Sequence, residues 1–134
     1  MKTKPELELA DVERMLAAAR MEAERHGWAV SIAVVDDGGH LLAFARLDGA
    51  SAASACIAQD KARAAALGCR ETKAYEDMIN GGRTAFLSVP LTGLLEGGVP
   101  VTVDGRIAGA IGVSGVKSEQ DAQIARAGTQ SVVA

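Results

Sequence analysis

The stretch from Gly97 to Asp121, GGVPVTVDGRIAGAIGVSGVKSEQD, constrains this chain more than any other. Val99, Val101 and Val103 alternate with Pro100 and Thr102, the period of two expected of a strand with one buried face. Asp104-Gly105 follows, a pair suited to a type I′ hairpin turn, which needs positive φ at both central positions. Ile107 to Val113 is nearly continuously apolar, with small residues at Ala108, Gly109, Ala110 and Gly112. Such a run suits a strand covered on both faces, with little bulk where a neighbour packs closely. Ser118 followed by Asp121 resembles a capping box and predicts a helix start.

The remaining segments supply partners for this unit. Val12, Leu16, Ala19 and Ala23 recur at helical spacing and predict a helix from about Leu9 to His26, closed by Gly27. Residues 1–8 ahead of it are expected to form a loose arm. AVSIAVV at 29–35 and HLLAFAR at 40–46 predict an antiparallel hairpin across Asp36-Asp37-Gly38-Gly39. Ser51 or Ser54 is placed to cap an alanine-rich helix that runs to about Leu67 and stops at Gly68. Thr72 is expected to cap a shorter helix through Ile79, Thr84–Val89 to form a short strand, and 118–131 the final helix. Strands joined by hairpins, with helices before, between and after, predict one α+β domain spanning residues 1–134.

Composition removes several function classes. Aromatic residues make up 3% of the chain, too few for a platform that stacks single-stranded bases. A net charge of -3 gives no electrostatic reason to hold a phosphate backbone, so no nucleic-acid partner is expected. No apolar run has the length of a membrane span, and MKTKPELELADVE lacks the apolar centre of a signal peptide. A cytoplasmic protein with Cys56 and Cys69 as reduced thiols is the resulting expectation, with Cys56 taken as a buried small residue.

Three segments together resemble the GlcG/HbpS-like family (DUF336, haem-degrading or haem-binding). They are SIAVVDDGGHLLAFARLDGA at 31–50, QDKARAAALG at 59–68, and GGVPVTVDGRIAGAIGVSG at 97–115 followed by EQDAQIARAG at 119–128. The resemblance covers roughly residues 7–130. It implies a profilin-like α+β fold, a five-stranded antiparallel sheet flanked by helices, and homo-oligomers from dimer to octamer. It also implies a small-molecule partner: haem, another tetrapyrrole, or a small organic acid handled in a catabolic operon. No cofactor is strictly required. Ala122 departs from the family pattern, which often has an acidic residue there.

The candidate residues follow from their chemistry. His40 opens the second strand beside a glycine turn, where an imidazole can ligate iron, shuttle a proton or simply bond the turn. His26 ends the first helix, where the macrodipole favours a cation, and it is the other possible haem ligand. Arg46 and Asp48 close the hairpin. The guanidinium suits a ligand carboxylate, or the two residues pair with each other. Lys61, on the segment matched to the family's lysine-bearing helix, suits anion neutralisation or a nucleophilic amine. Gly112, Ser114, Gly115, Gln120 and Asp121 surround a helix N-terminus whose amides can receive an anion, or whose side chains merely cap it. The main expectation is small-molecule binding in a pocket between sheet and helices or between subunits. The alternative is a cofactor-independent enzyme acting on a small carboxylated or hydroxylated catabolite, with Lys61 and His40 as general acid and base.

Overall fold

The computed structural model describes residues 1–133. The elements run α1 (Leu9–His26), β1 (Ser31–Asp36), β2 (Leu41–Arg46), α2 (Ala52–Gly68), α3 (Thr72–Asn80), β3 (Gly98–Val103), β4 (Arg106–Ser114) and α4 (Ser118–Gln130). One 3-10 turn, Thr84–Ser88, lies between α3 and β3. The strands form a single antiparallel sheet in the order β2-β1-β4-β3. Among the described residues the sheet therefore has four strands, not the five implied by the resemblance.

The reason lies in residues 84–88. Their backbone bonds close locally, with Phe86 N donating to Arg83 O at 3.2 Å, so the segment joins no ladder. Phe86 sits 5.7 Å from the Tyr75 ring and beneath the Arg83 guanidinium, which fixes the turn against α3. A short apolar run before a proline does not distinguish strand from 3-10 turn.

Helix and turn chemistry is mostly local. Glu8 N donates to the Asp11 carboxylate, and Gly27 ends α1 at φ 69°. Asp104 and Gly105 stand at φ 51° and 74°, so the β3–β4 turn has the positive φ its sequence predicts. Ser51 caps α2, accepting from Ser54 N. Glu71, rather than Thr72, is the cap of α3. Thr72 is buried instead, and its hydroxyl accepts from Gly98 N and donates to Leu95 O, tying α3 to the start of β3.

The sheet has two packed faces. Ile32, Val34, Val99, Val101, Ile111 and Val113 meet Val12, Met15, Ala19 and Ile124 from α1 and α4. Ala33, Val35 and Ala110 meet Ala58, Ala62, Ala65 and Ala66 of α2. Gly112 lies under α2, where an added Cβ would stand 2.1 Å from Ala58 O and 2.4 Å from Ala62 N. The small residues of β4 thus admit helix backbone. Residues 1–8 carry no helix or strand, yet Leu7 packs on the core and Lys4 pairs with Asp37. No helix among the described residues is long and apolar enough to cross a membrane.

Candidate ligand site

Lys61 projects from the sheet-facing side of α2. Its ammonium donates to Val113 O at 3.0 Å and to Asp121 Oδ2 at 3.2 Å, and both side chains are 3% exposed. Asp121, in the first turn of α4, also accepts from Val116 N at 3.2 Å and from the Gly115 backbone. Burial pushes the Asp121 carboxyl above its ordinary value, while the Lys61 charge and these N–H groups oppose the rise. Gly97, at φ 133°, passes so close that a Cβ there would lie 2.7 Å from Lys61 Nζ and 2.7 Å from Val113 O. The unit is a buried ion pair that joins α2, β4 and α4, roofed by glycine backbone.

The amides at the start of α4 are correspondingly occupied from within. Asp121 takes those of Gly115 and Val116, and Gln120 Oε1 accepts from Lys117 N at 3.3 Å. Ser114 is buried at the same level of the sheet as Ser31 and Arg46. Ser31 Oγ bonds Ser54 Oγ at 2.8 Å, which fastens α2 over that end of the sheet.

His40 stands at the opposite end. Its side chain is 80% exposed, and Nδ1 lies 3.1 Å from the Asp36 carboxylate, which also accepts from the Gly38 and His40 amides. Burial works against it, but these bonds hold the Asp36 carboxyl below its ordinary value. β2 begins at Leu41, so His40 precedes the strand rather than opening it, and Arg46 ends it about 20 Å away at the usual rise per residue. His40, Arg46 and Lys61 therefore do not meet at one place within a single chain.

Arg46 leads to a real concavity. Its Nε donates to Ala50 O at 3.0 Å, so Ala50 rather than Asp48 holds the guanidinium. Arg46 and Asp48 line a cavity of about 500 Å³ together with Arg20, Trp28, Ala29 and Leu47, between the last turns of α1 and the end of β2. His26 stacks on Trp28 with centroids 4.2 Å apart, and its Nε2 is engaged by Glu22 at 3.1 Å and Gln123 at 3.3 Å. Glu24 lines the cavity too and accepts from Arg20 Nε at 2.8 Å, so the cavity offers an indole wall and the Arg46 guanidinium, an arrangement that receives a flat apolar body carrying a carboxylate.

Trp28 and Arg20 escaped the sequence reading. A usable signal existed for Trp28: it is the only tryptophan, set directly behind the Gly27 helix stop, where an indole covers the helix end. Arg20 carried none, because its place beside Arg46 depends on how α1 crosses the sheet. Cys56 is exposed, contrary to its expected burial, because it lies on the side of α2 away from the sheet. Among the described residues no three His, Cys, Asp or Glu side chains are grouped to hold a metal ion.

The comparisons agree on kinship. The family described as "Haem degrading protein HbpS-like" matches residues 7–130. Protein GlcG of Escherichia coli is 58% identical over 114 residues, 85% of this chain and 85% of that protein. The crystal structure of a double mutant of Streptomyces reticuli HbpS superposes with TM-score 0.90 at 34% identity, covering 100% of this chain and 92% of that one. A PduOC–haem complex superposes with TM-score 0.84 at 26% identity, covering 96% of each chain. With the match spanning nearly the whole sequence and the fold shared, this chain belongs to the HbpS-like family.

Proposed function

We propose that this protein binds a small carboxylate-bearing molecule, either a haem-type tetrapyrrole or a small organic acid, in the cavity between α1 and the end of β2. The observation that carries the reading is the convergence of the Trp28 indole and the Arg46 guanidinium on one cavity of about 500 Å³. A planar apolar ligand gains area against the indole, and a carboxylate on it gains charge-assisted bonds from Arg46. Family membership and the haem bound by PduOC support a tetrapyrrole. The reading takes the protein as a cytoplasmic homo-oligomer.

Fit to haem is divided between its parts. Arg46 would hold a propionate, while Arg20 is engaged by Glu24 at 2.8 Å, and haem would supply a redox-active iron. The cavity lining contains no histidine, cysteine or methionine, and His26 Nε2 is already engaged by Glu22 and Gln123. The chain's own residues therefore suit the carboxylates and the ring face better than the metal. An acid–base enzyme built on Lys61 and His40 draws no support from the geometry, because Lys61 is sealed in its ion pair and His40 stands in solvent at the hairpin end.

Titration with hemin, followed at the Soret band, tests the reading. A saturable shift at one hemin per chain, weakened about tenfold or more by Arg46→Ala, is expected. No shift, or a shift indifferent to Arg46→Ala, removes the tetrapyrrole. Quenching of Trp28 fluorescence by small organic acids then tests the other ligand class.

A further inference from the structure

Trp28 is the only tryptophan of the chain, and it walls the cavity that Arg46 enters. Its backbone is set by the way α1 stops. Gly27 N donates to Glu24 O at 3.1 Å and Trp28 N donates to Ala23 O at 2.9 Å, the paired bonds of a Schellman ending. Those bonds fix where the indole is attached. They leave its side-chain torsions to be settled by what the ring touches. One neighbour is the core between the sheet, α1 and α4, against which Trp28 packs. The other is His26, whose ring lies 4.2 Å from the indole and 17° from parallel to it.

His26 is itself held from two helices. Glu22, one turn earlier on α1, places Oε2 at 3.1 Å from the imidazole Nε2. A carboxylate only accepts, so Nε2 carries the proton and donates it to this bond. Gln123 of α4 donates to the same Glu22 oxygen at 2.7 Å and stands 3.3 Å from the imidazole, and Arg25 donates to the other oxygen. The Gln123 amide above all, with His26 and Arg25, holds the Glu22 carboxyl below its ordinary value against the effect of burial, which keeps it an acceptor. A continuous chain of contacts thus runs from α4 through Glu22 and His26 to one face of the indole. His26 is absent from the cavity lining, so it backs the wall without reaching a ligand.

We infer that His26 is a positioning residue of the ligand site: its ring, steadied by Glu22 and Gln123, fixes the Trp28 indole as the wall of the Arg46 cavity. The inference rests on that cavity being the ligand site. The stacked face of the indole is filled by His26, so a ligand meets the opposite face or the ring edge. An indole fixed before binding favours a flat conjugated carboxylate over an aliphatic one of equal charge, because only the flat one lies along the ring and none of the gain is lost in ordering it. This role needs a flat ring at position 26, not an imidazole nitrogen.

Two variants of the full chain separate ring from nitrogen. His26→Phe keeps a ring, and His26→Gln keeps a donor for Glu22. Position 26 ends a helix and its side chain is 34% exposed, so far-ultraviolet dichroism should match the wild type in both. Without any ligand, His26→Phe should keep most of the near-ultraviolet dichroism of the indole. His26→Gln should lose it, and the Trp28 emission should shift to the red. In a hemin titration His26→Gln should bind roughly two- to tenfold more weakly, the worth of one aromatic stack, while His26→Phe stays within about twofold of the wild type. The ligand-free spectra decide the inference even where hemin fails to bind, so its failure and that of the proposed ligand are distinct. An indole spectrum unchanged in His26→Gln, or lost equally in both variants, overturns the inference. So does hemin binding lost in His26→Phe as fully as in His26→Gln, which would give the nitrogen rather than the ring the decisive part.

Discussion

Lys61 Nζ stands 3.2 Å from Asp121 Oδ2 across 60 residues of sequence, and both side chains are almost wholly removed from water. The pair joins three elements, since Lys61 also holds Val113 O on β4 and Asp121 also holds the backbone at the start of α4. A buried pair of this kind gains little over a well-packed apolar substitute, but it is costly to break from one side. Its strength lies in the extra bonds that satisfy both charges.

Lys61→Met should destabilise the protein by about 3–5 kcal/mol at neutral pH, because it leaves the Asp121 carboxylate buried without its counter-charge. Urea midpoints across pH check the cause. Burial already raises Asp121 above its ordinary 3.8, and loss of Lys61 raises it further. A carboxyl raised in the folded state contributes stability below the unfolded value and loses it as pH rises through the folded value. The Lys61→Met deficit should accordingly shrink as pH falls toward 3.8. A deficit constant with pH contradicts this account of the pair.

Asp36 should show the opposite sign. Its carboxyl is held below 3.8 by the Gly38 and His40 amides and the His40 ring. A depressed carboxyl contributes stability above the unfolded value and loses it as pH falls through the folded value. Asp36→Asn should flatten the decline in stability below about pH 4, measured as the thermal midpoint against pH. His40→Ala should leave most of that decline in place, since two backbone donors remain.

Gly112→Ala should be among the most damaging single-methyl additions, with a loss above about 3 kcal/mol or failure to fold. The added carbon would meet helix backbone at 2.1 and 2.4 Å, and backbone cannot rotate aside. Gly27→Ala is the control. Nothing lies within 4 Å of its added carbon, so only the strain of φ 69° is incurred, about 1 kcal/mol. Equal losses at the two positions, by chemical denaturation, contradict close packing of α2 on β4.

The residues differ in how far sequence could reveal them. The turn at Asp104-Gly105, the stop at Gly27 and the cap at Ser51 are local, because each is decided by the φ or hydrogen bond of a few neighbouring residues. The 3-10 turn at 84–88 was not legible, because Tyr75 and Arg83 decide it more than any period in TAFLS. Lys61 was visible as a residue, but its partner was not. The sequence places Asp121 at a helix start that receives an anion or is merely capped, and only the packing of α2 on β4 joins it to Lys61. Arg46 and Asp48 line a cavity, whereas the glycines at 97 and 112 accommodate backbone and an ammonium group belonging to the chain itself.

Diffraction from crystals soaked with a tetrapyrrole or a small organic acid tests the central claim most directly. The account predicts ligand density against the Trp28 indole, with a carboxylate within hydrogen-bond distance of the Arg46 guanidinium. Density elsewhere on the chain, with the Arg46–Trp28 cavity filled only by solvent, contradicts it.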